Sequence, residues 1–254
     1  MSDEVLTEFG DGIAVLTINR PEARNAVNRA VAVAFAEALD ELDRRDDLAV
    51  GVVTGAGGTF SAGMDLKAFL TGELPSVEGR GFAGLTMAPP RKPLIAAVEG
   101  YALAGGCEIV LACDMVVAAE NARFGIPEVT RGLVAAAGGL LRLPKRIPYQ
   151  VAMEFALTGE MMEAPRAHAL GLVNRLSPPG TALAGALALA RTVADNAPLA
   201  VRATKRVIVE SGAWAPDQMW DRQTELISHI FTSEDAREGA RAFAEKRAPK
   251  WQGR

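Results

Sequence analysis

Two glutamates stand out because their neighbours are apolar residues and glycines. Glu108 follows Gly105 and Gly106 within a mostly apolar stretch, and Glu128 follows Pro127 in Phe-Gly-Ile-Pro-Glu-Val. Carboxyl groups can hold a water molecule and move protons to or from a reacting group. Two carboxyl groups in one dry pocket should titrate as a coupled pair with at least one raised apparent pKa. Glu108 and Glu128 are therefore candidates for acid–base chemistry on a bound molecule, provided that the fold brings them together.

Two glycine-rich segments could supply hydrogen-bond donors to the same molecule. One is Gly105-Gly106 and the other is the loop 56–63, which follows an apolar run. Glycine allows close approach of a ligand to the backbone, and the first amides of a helix lack acceptors within the helix. Such amides can bind a phosphate, or an oxyanion that develops on a carbonyl. Neither segment spells a nucleotide-binding motif, since Gly-Lys-Ser/Thr and a helix-opening Gly-x-Gly-x-x-Gly are missing.

A purely structural explanation remains open for each feature. Glu108 could occupy the first turn of a helix, where the helix dipole favours acidic residues. Glu128 could be a solvent-facing residue at a helix start after Pro127. The glycines could serve packing alone. From the residues themselves we obtain two candidate carboxylates and two candidate donor loops, without proof that they converge.

The elements that must position these groups alternate between strand and helix in the first half of the chain. A helix is predicted after residue 27, because apolar residues recur at helical spacing up to residue 42, and another opens at Gly105. This order favours strand–helix crossovers and a parallel sheet. The predicted strands are 12–19, 48–55, 93–100 and 114–120. The predicted helices of the second half are 149–159, 164–171, 181–195, 199–211, 216–232 and a last helix capped by Ser233.

Composition narrows the class of protein. The 254 residues are 49% hydrophobic and 23% charged, which suits one large globular domain. A net charge of −4 gives no indication of nucleic-acid binding. The two cysteines and two histidines show no metal-ligand spacing, so we expect no metal site. The acidic N-terminus resembles no signal peptide and no apolar run would span a membrane, so a reducing, cytoplasmic location is expected.

Five segments, in order, resemble the enoyl-CoA hydratase/isomerase family, the crotonases, almost from end to end. They are 19–26, 60–66, 100–108 with Cys113-Asp114, 124–129 and 243–247. The resemblance implies the crotonase-like (ClpP/crotonase) α/β fold, with repeated ββα units and a C-terminal helical region. It divides the chain into a core domain, 1–195, and a helical trimerisation region, 196–254. Homotrimers or homohexamers, built as dimers of trimers, are the assemblies that it implies.

The same resemblance assigns catalytic roles. The backbone N–H groups of Ala62 and Gly105 would bind the thioester oxygen of a CoA ester and stabilise the charge of an enolate, each contributing about 3–4 kcal/mol. Gly105 would suit this role because a side chain there would crowd the thioester. Glu108 would position and activate a water molecule, and Glu128 would exchange a proton at C2.

CoA recognition is implied more loosely. Arg24 and Lys67 are the suggested phosphate partners, although both could equally be solvated surface charges. Phe243 and Lys246 would reach the CoA of a neighbouring subunit. No cofactor is expected beyond the CoA of the substrate, and neither nucleic acid nor membrane is expected as a partner. The full set of CoA-contacting candidates is Ala23, Arg24, Ala62, Met64, Asp65, Leu66, Lys67, Phe243 and Lys246.

The predicted function is that of an enoyl-CoA hydratase, a hydro-lyase that converts a 2-enoyl-CoA into a 3-hydroxyacyl-CoA. The segment 140–145 also resembles carnitinyl-CoA dehydratases. An isomerase, a thioester hydrolase and a non-catalytic acyl-CoA-binding protein stay as alternatives, and the presence of both Glu108 and Glu128 argues for the hydratase. Residues 71–90 match no pattern, so acyl-chain length stays open, and Met64 stands where many relatives have a smaller residue.

Overall fold

The computed structural model describes residues 4–254, which form eleven strands and ten α-helices. The strands are β1 (Val5–Gly10), β2 (Ile13–Ile18), β3 (Val50–Gly55), β4 (Ser76–Val77), β5 (Gly81–Phe82), β6 (Leu94–Val98), β7 (Tyr101–Leu103), β8 (Met115–Ala119), β9 (Arg123–Gly125), β10 (Met162–Glu163) and β11 (Arg175–Ser177). The helices are α1 (Arg29–Arg44), α2 (Leu66–Leu70), α3 (Gly105–Ala112), α4 (Gly139–Arg142), α5 (Tyr149–Thr158), α6 (Ala164–Ala169), α7 (Ala182–Ala194), α8 (Pro198–Ser211), α9 (Met219–Ile227) and α10 (Glu234–Glu245).

The main sheet has six strands in the order β1-β2-β3-β6-β8-β11. All neighbours pair in parallel except β1 and β2, which are antiparallel. A second sheet has the order β10-β9-β7, and β4 and β5 form a small antiparallel pair. The predicted α/β architecture with a parallel sheet is therefore confirmed. The four predicted strands correspond to β2, β3, β6 and β8, whereas the other strands were not predicted.

The two faces of the main sheet bury different residues because side chains alternate along each strand. In β6, Ile95 and Ala97 pack in the cluster that α7 covers, while Leu94 and Ala96 belong to the larger cluster on the opposite face. All five residues of β6 are buried. Burial of each large aliphatic side chain contributes roughly 1.5–3 kcal/mol. The sheet is thus a rigid layer from which the loops at its strand ends extend.

Local sequence signals explain where α1 and α10 begin. Asn28 caps α1, because its side-chain oxygen accepts a hydrogen bond from Val31 N at 2.9 Å. The apolar face of α1 packs Phe35 and Leu39 into the core. Ser233 caps α10 as predicted, and its hydroxyl accepts from Ala236 N at 3.0 Å. These caps satisfy amides that the helix itself leaves free.

The helical second half is confirmed for the segments that became α5 to α8, but the prediction of a continuous helix over 216–232 is wrong. Helix α9 ends at Ile227, and Ser228–Thr232 forms a 3₁₀ turn. Neither α8 nor α9 contains a buried residue within the described part of the chain. Several large apolar side chains of this region are exposed, namely Ile208, Val209, Trp220, Phe231 and Phe243. Among residues 4–254, no helix combines the length and apolar character needed to cross a bilayer.

Candidate active site

A cavity of about 1070 Å³ lies at the carboxyl ends of the central strands. It is lined by the loop after β3, the start of α3 and the 3₁₀ turn Pro127–Arg131. The structure brings ten of the predicted site residues to this cavity, namely Ala23, Arg24, Ala62, Met64, Asp65, Leu66, Lys67, Gly105, Glu108 and Glu128. Phe243 and Lys246 are not among its lining residues in the described chain. Phe243 is 88% exposed on α10.

Glu108 is fixed in place by a segment distant in sequence. It is only 3% exposed, and its Oε1 accepts hydrogen bonds from Ala137 N at 2.8 Å and Gly139 N at 2.9 Å. Burial, together with the charge of Glu128, raises the pKa of Glu108 to about 7, although the two amides and Arg142 oppose the shift. Glu108 is thus more than a residue that complements a helix dipole. Near neutral pH it exchanges between its two protonation states.

Glu128 faces the same cavity with fewer contacts. It is half-buried on the 3₁₀ turn, and its Oε2 is buried without a hydrogen-bond partner among residues 4–254. Burial raises the pKa of Glu128, against a smaller opposing effect of its own backbone amide and of Arg131. The alternative of a solvent-facing residue at a helix start therefore does not hold for Glu128. Both carboxyl groups are held in surroundings that favour their neutral forms.

The two glycine-rich loops meet beside Glu108. A Cβ built on Gly63, which has a φ of +94°, would lie 2.9 Å from Gly105 N, so the backbones are in direct contact. Ala104, immediately before α3, has a φ of +51° and a ψ of −127°, an unfavourable conformation for a residue with a side chain. Strain of this kind is typical of functional sites. It turns the start of α3 toward the loop after β3.

The prediction that Ala62 provides an oxyanion donor is wrong. Its N–H donates to Arg24 O at 3.0 Å and is already used by the fold. Two residues later, Asp65 N donates to Val27 O at 2.9 Å, and Met64 pairs with Val27 as an isolated parallel bridge. In a parallel bridge the amide of the central residue points away from its partner. The described residues offer no acceptor to Met64 N, which makes Met64, with Gly105, the candidate donor pair.

Packing explains the need for glycine at positions 105 and 106, for a reason different from the predicted one. A Cβ on Gly105 would lie 2.5 Å from the ring of Phe82, so an aromatic wall, and not only a ligand, excludes a side chain there. A Cβ on Gly106 would lie 2.3 Å from Ser61 O. Both distances are too short for a Cβ atom beside a ring carbon or a carbonyl oxygen, so a side chain at either position would force the structure to shift. The glycines allow α3 to approach the β3 loop and Phe82 closely.

Charged residues cluster at one end of the cavity. Arg20 pairs with Asp65 at 3.0 Å, and Asp65 caps α2 through the Lys67 and Ala68 amides at 3.0 and 3.3 Å. Asp65 is therefore occupied by structural contacts. The exposed side chains of Arg24 and Lys67 line the cavity. These two cations are available to an anionic ligand.

Apolar side chains dominate the rest of the cavity, and most were missed in the sequence. The main apolar lining residues there are Phe82, Met87, Leu103, Leu133, Val134 and Met161. Ala137 and Gly139, the donors to Glu108, were also missed, because main-chain donors carry no signature in their side chains. Phe82 lies in the segment that matched no pattern, so no signal identified it. Among residues 4–254, no group of three or more His, Cys, Asp or Glu residues is arranged to hold a metal ion.

Comparisons with known proteins cover every residue that lines the cavity. The model of the enoyl-CoA hydratase/isomerase family matches residues 8–254. A solved enoyl-CoA hydratase structure from Mycobacterium tuberculosis superposes with a TM-score of 0.98 at 60% identity, over 100% of both chains. An enoyl-CoA hydratase of the same species is 41% identical over 262 residues, 99% of this chain and 97% of the relative. A carnitinyl-CoA dehydratase of Salmonella typhi is 41% identical over 264 residues, 100% of both chains.

Proposed function

The chain belongs to the enoyl-CoA hydratase/isomerase family and has its crotonase-like fold, and we propose that it is an enoyl-CoA hydratase. The reaction adds water across the 2,3 double bond of a 2-enoyl-CoA and yields a 3-hydroxyacyl-CoA. One observation carries the proposal: Glu108 and Glu128 face a single cavity, which Met64 and Gly105 also line with main-chain amides that have no acceptor among residues 4–254.

The amides of Met64 and Gly105 are the proposed oxyanion donors. Both can point at the thioester oxygen of a substrate whose acyl group enters the apolar part of the cavity. As the substrate becomes an enolate, negative charge grows on that oxygen, and donors that are already oriented stabilise it without reorganisation. One such donor contributes about 3–4 kcal/mol to lowering the barrier.

The two glutamates divide the proton transfers. The Glu108 carboxylate, fixed through Oε1, accepts a proton from a water molecule as the water oxygen bonds to C3. The C2–C3 double bond then becomes the enolate, and the protonated Glu128 delivers a proton to C2. The pKa of Glu108, raised to about 7, suits a group that gains and loses a proton near neutral pH, and burial raises the pKa of Glu128, which favours the protonated form that donates to C2. Dehydration runs through the same steps in reverse.

Substrate binding and assembly extend the proposal. Arg24 and Lys67, which line the cavity, would pair with CoA phosphates. Phe243 and Lys246 would contact the CoA of a neighbouring subunit. The exposed apolar residues of α8 to α10 support a trimerisation region at 196–254 attached to a core of 1–195, in a homotrimer or homohexamer. The chemistry requires no cofactor apart from the CoA of the substrate.

A carnitinyl-CoA substrate is the second candidate, because a dehydratase of that name is 41% identical. A quaternary ammonium group is bound by aromatic cages or by acidic side chains. Apart from Glu108 and Glu128, the acidic lining residues are Glu22 and Asp65, and Asp65 is paired with Arg20. The apolar lining therefore favours an uncharged acyl group over a cationic one.

A panel of enoyl-CoA esters tests the proposal. Short, medium, branched and carnitine-derived esters are incubated with the protein, and the absorbance of the conjugated thioester is followed. Mass measurement of the products separates hydration, which adds one water, from isomerisation, which leaves the mass unchanged, and from hydrolysis, which releases free CoA. Hydration of an uncharged enoyl-CoA is expected. Binding of CoA esters without any turnover would establish an acyl-CoA-binding protein instead.

A further inference from the structure

Arg142, at the end of α4, contacts two separate walls of the cavity. Its Nη2 donates to Thr86 O at 2.6 Å, and its Nη1 approaches Ala137 O at 3.5 Å. The side chain is half-buried, and Arg142 itself is not one of the residues that line the cavity. One planar guanidinium thus spans two carbonyl groups that lie 51 positions apart in the sequence.

The first wall is the segment from β5 to Met87. It carries Phe82, whose ring lies against Gly105, and Thr86, which is only 2% exposed. The Thr86 hydroxyl is buried without a hydrogen-bond partner among residues 4–254, so this side chain does not hold the wall in place. Thr86 N donates to Phe82 O at 3.2 Å, which is a contact within the wall. The guanidinium of Arg142 connects the wall to the rest of the site.

The second wall is the loop 137–139 that holds Glu108. Ala137 N and Gly139 N donate to Glu108 Oε1, and Ala137 O, which lies between these two donors along the backbone, faces Arg142. Gly138 has a φ of +93°, and a Cβ on it would lie 2.3 Å from Arg142 Nη1. The glycine therefore leaves the space that the guanidinium occupies. Arg142 therefore contacts the same peptide segment that orients Glu108.

We propose that Arg142 is a positioning residue for the hydration reaction: it ties the wall that carries Phe82 to the loop that holds Glu108, and so fixes the acyl group relative to the water-activating carboxylate. The proposal rests on the hydratase function proposed above. Lysine carries its three donors on one nitrogen at the end of a flexible stem, so it lacks the planar fork with which Arg142 contacts both carbonyls.

Charge gives Arg142 a second effect, on the titration of Glu108. The charged and titratable groups that act on Glu108 are Glu128 on the 3₁₀ turn and Arg142 on α4, while Cys107 neighbours it on α3. Burial lowers the pKa of Arg142, the charge of Arg146 lowers it further, and Glu108 and Cys113 oppose this shift. Its positive charge stabilises the Glu108 carboxylate. Removal of that charge should raise the pKa of Glu108 further.

The test compares kcat, KM and their pH profiles for the wild type, Arg142→Met and Arg142→Lys on one enoyl-CoA. For Arg142→Met we expect kcat to fall roughly 10- to 100-fold, as a small displacement of reacting groups does. The acidic limb of the pH profile of kcat should move to higher pH by about 0.5–1 unit in this variant, because the Glu108 carboxylate loses a cationic neighbour. In Arg142→Lys the acidic limb should stay where it is in the wild type, because the positive charge remains. The kcat should still fall, because the contacts with Thr86 O and Ala137 O are no longer both made.

Arg146→Met is the matched control. Arg146 is also half-buried, follows Arg142 by one turn and donates to a main-chain carbonyl, Cys113 O, at 2.9 Å. It is not among the groups that shift Glu108. We expect this variant to unfold at a lower temperature and to retain the kcat and the pH profile of the wild type.

Several results would contradict the positioning role of Arg142. A wild-type acidic limb and wild-type kcat in folded Arg142→Met would overturn the proposal. If that variant does not fold, Arg142→Lys decides, and a kcat equal to that of the wild type would refute the positioning role. If the wild type hydrates no enoyl-CoA, the proposed function fails, and the pKa of Glu108, measured by NMR with labelled glutamate in each variant, still tests the action of Arg142 on Glu108.

Discussion

The two sides of the active-site cavity hold their glutamates in different ways. On one side, Glu108 projects from a fully buried helix and is fixed by two amides, and the charge of Arg142 acts on it. On the other, Glu128 sits on a 3₁₀ turn that ends at the left-handed Gly132, and its buried Oε2 has no partner among residues 4–254. The first carboxyl group is held rigidly, whereas the second is held loosely.

The difference matches the two tasks that we propose. A group that aims a water molecule at C3 benefits from a fixed position, because misalignment of reacting atoms is costly. A group that passes a proton to C2 must change its hydrogen bonding during each turnover. A buried polar atom without a partner costs about 1–3 kcal/mol in the free protein. A bound substrate or water molecule could relieve that cost at Glu128, so the looser side is completed by what it binds.

The largest expected effect is the loss of kcat when Glu128, on the loosely held side of the cavity, is replaced. Glu128→Gln keeps the shape of the side chain but removes the exchangeable proton, so kcat should fall by about 10²- to 10⁴-fold while KM changes little. Steady-state kinetics on the best enoyl-CoA measure both constants. The exposed Glu120 offers a control, since Glu120→Gln should leave both unchanged. A near-normal kcat in Glu128→Gln would remove Glu128 from the mechanism.

An effect of intermediate size is expected on the free energy of unfolding, through the raised pKa of Glu108 on the rigidly held side of the cavity. Burial raises the folded-state pKa of Glu108 from 4.5 to about 7, so the contribution of this residue to stability is present below pH 4.5 and is lost as pH rises through 7. Glu108→Gln keeps an oxygen for both amides and carries no charge. Relative to the wild type, its free energy of unfolding should therefore improve by about 2–3 kcal/mol between pH 5 and pH 8.

Urea unfolding at both pH values, at one protein concentration, measures this difference. The comparison is meaningful at fixed concentration because assembly contributes to apparent stability. Glu120→Gln again serves as the reference. An equal advantage for Glu108→Gln at pH 5 and pH 8 would show that Glu108 does not carry the raised pKa.

The smallest effect concerns the cation that faces Glu128. Arg131 lowers the pKa of Glu128, but its side chain is exposed and its charge is screened by solvent. Arg131→Met should move the limb of the pH profile that reports Glu128 upward by no more than about 0.5 unit. This shift should be smaller than that of Arg142→Met on the Glu108 limb. A larger shift from Arg131 would contradict the contrast between the two sides.

The sequence predicted four of the six strands of the main sheet, because their runs of five or six mostly apolar residues leave a clear pattern, whereas β1 and β11 were not predicted. Strands β4 and β10, with two residues each, contain too little periodicity to be recognised. The helix over 216–232 was predicted too long because no proline or glycine marks the change to a 3₁₀ turn after Ile227.

The sequence identified those parts of the candidate site that depend on the chemistry of a side chain. Glu108 and Glu128 carry that chemistry visibly, and Gly105 is distinguished by its lack of a side chain. The donor after β3 was placed at Ala62 instead of Met64, because every residue except proline has an amide and only the three-dimensional pairing shows which amide is free. Arg142 belonged to a segment that was considered only for substrate preference. Its contacts join residues far apart in sequence, which no local pattern could reveal.

The reliance on main-chain donors has a consequence for inherited variation. A codon change at Met64 replaces the side chain but leaves the N–H in place unless it introduces proline, so this position can drift without erasing the donor. Gly63 and Gly106 have no such freedom, because any Cβ there would meet Gly105 N or Ser61 O at 2.9 and 2.3 Å. Damaging alleles should therefore accumulate at Gly63 and Gly106, beside the donor amides, whereas Met64 itself tolerates exchange.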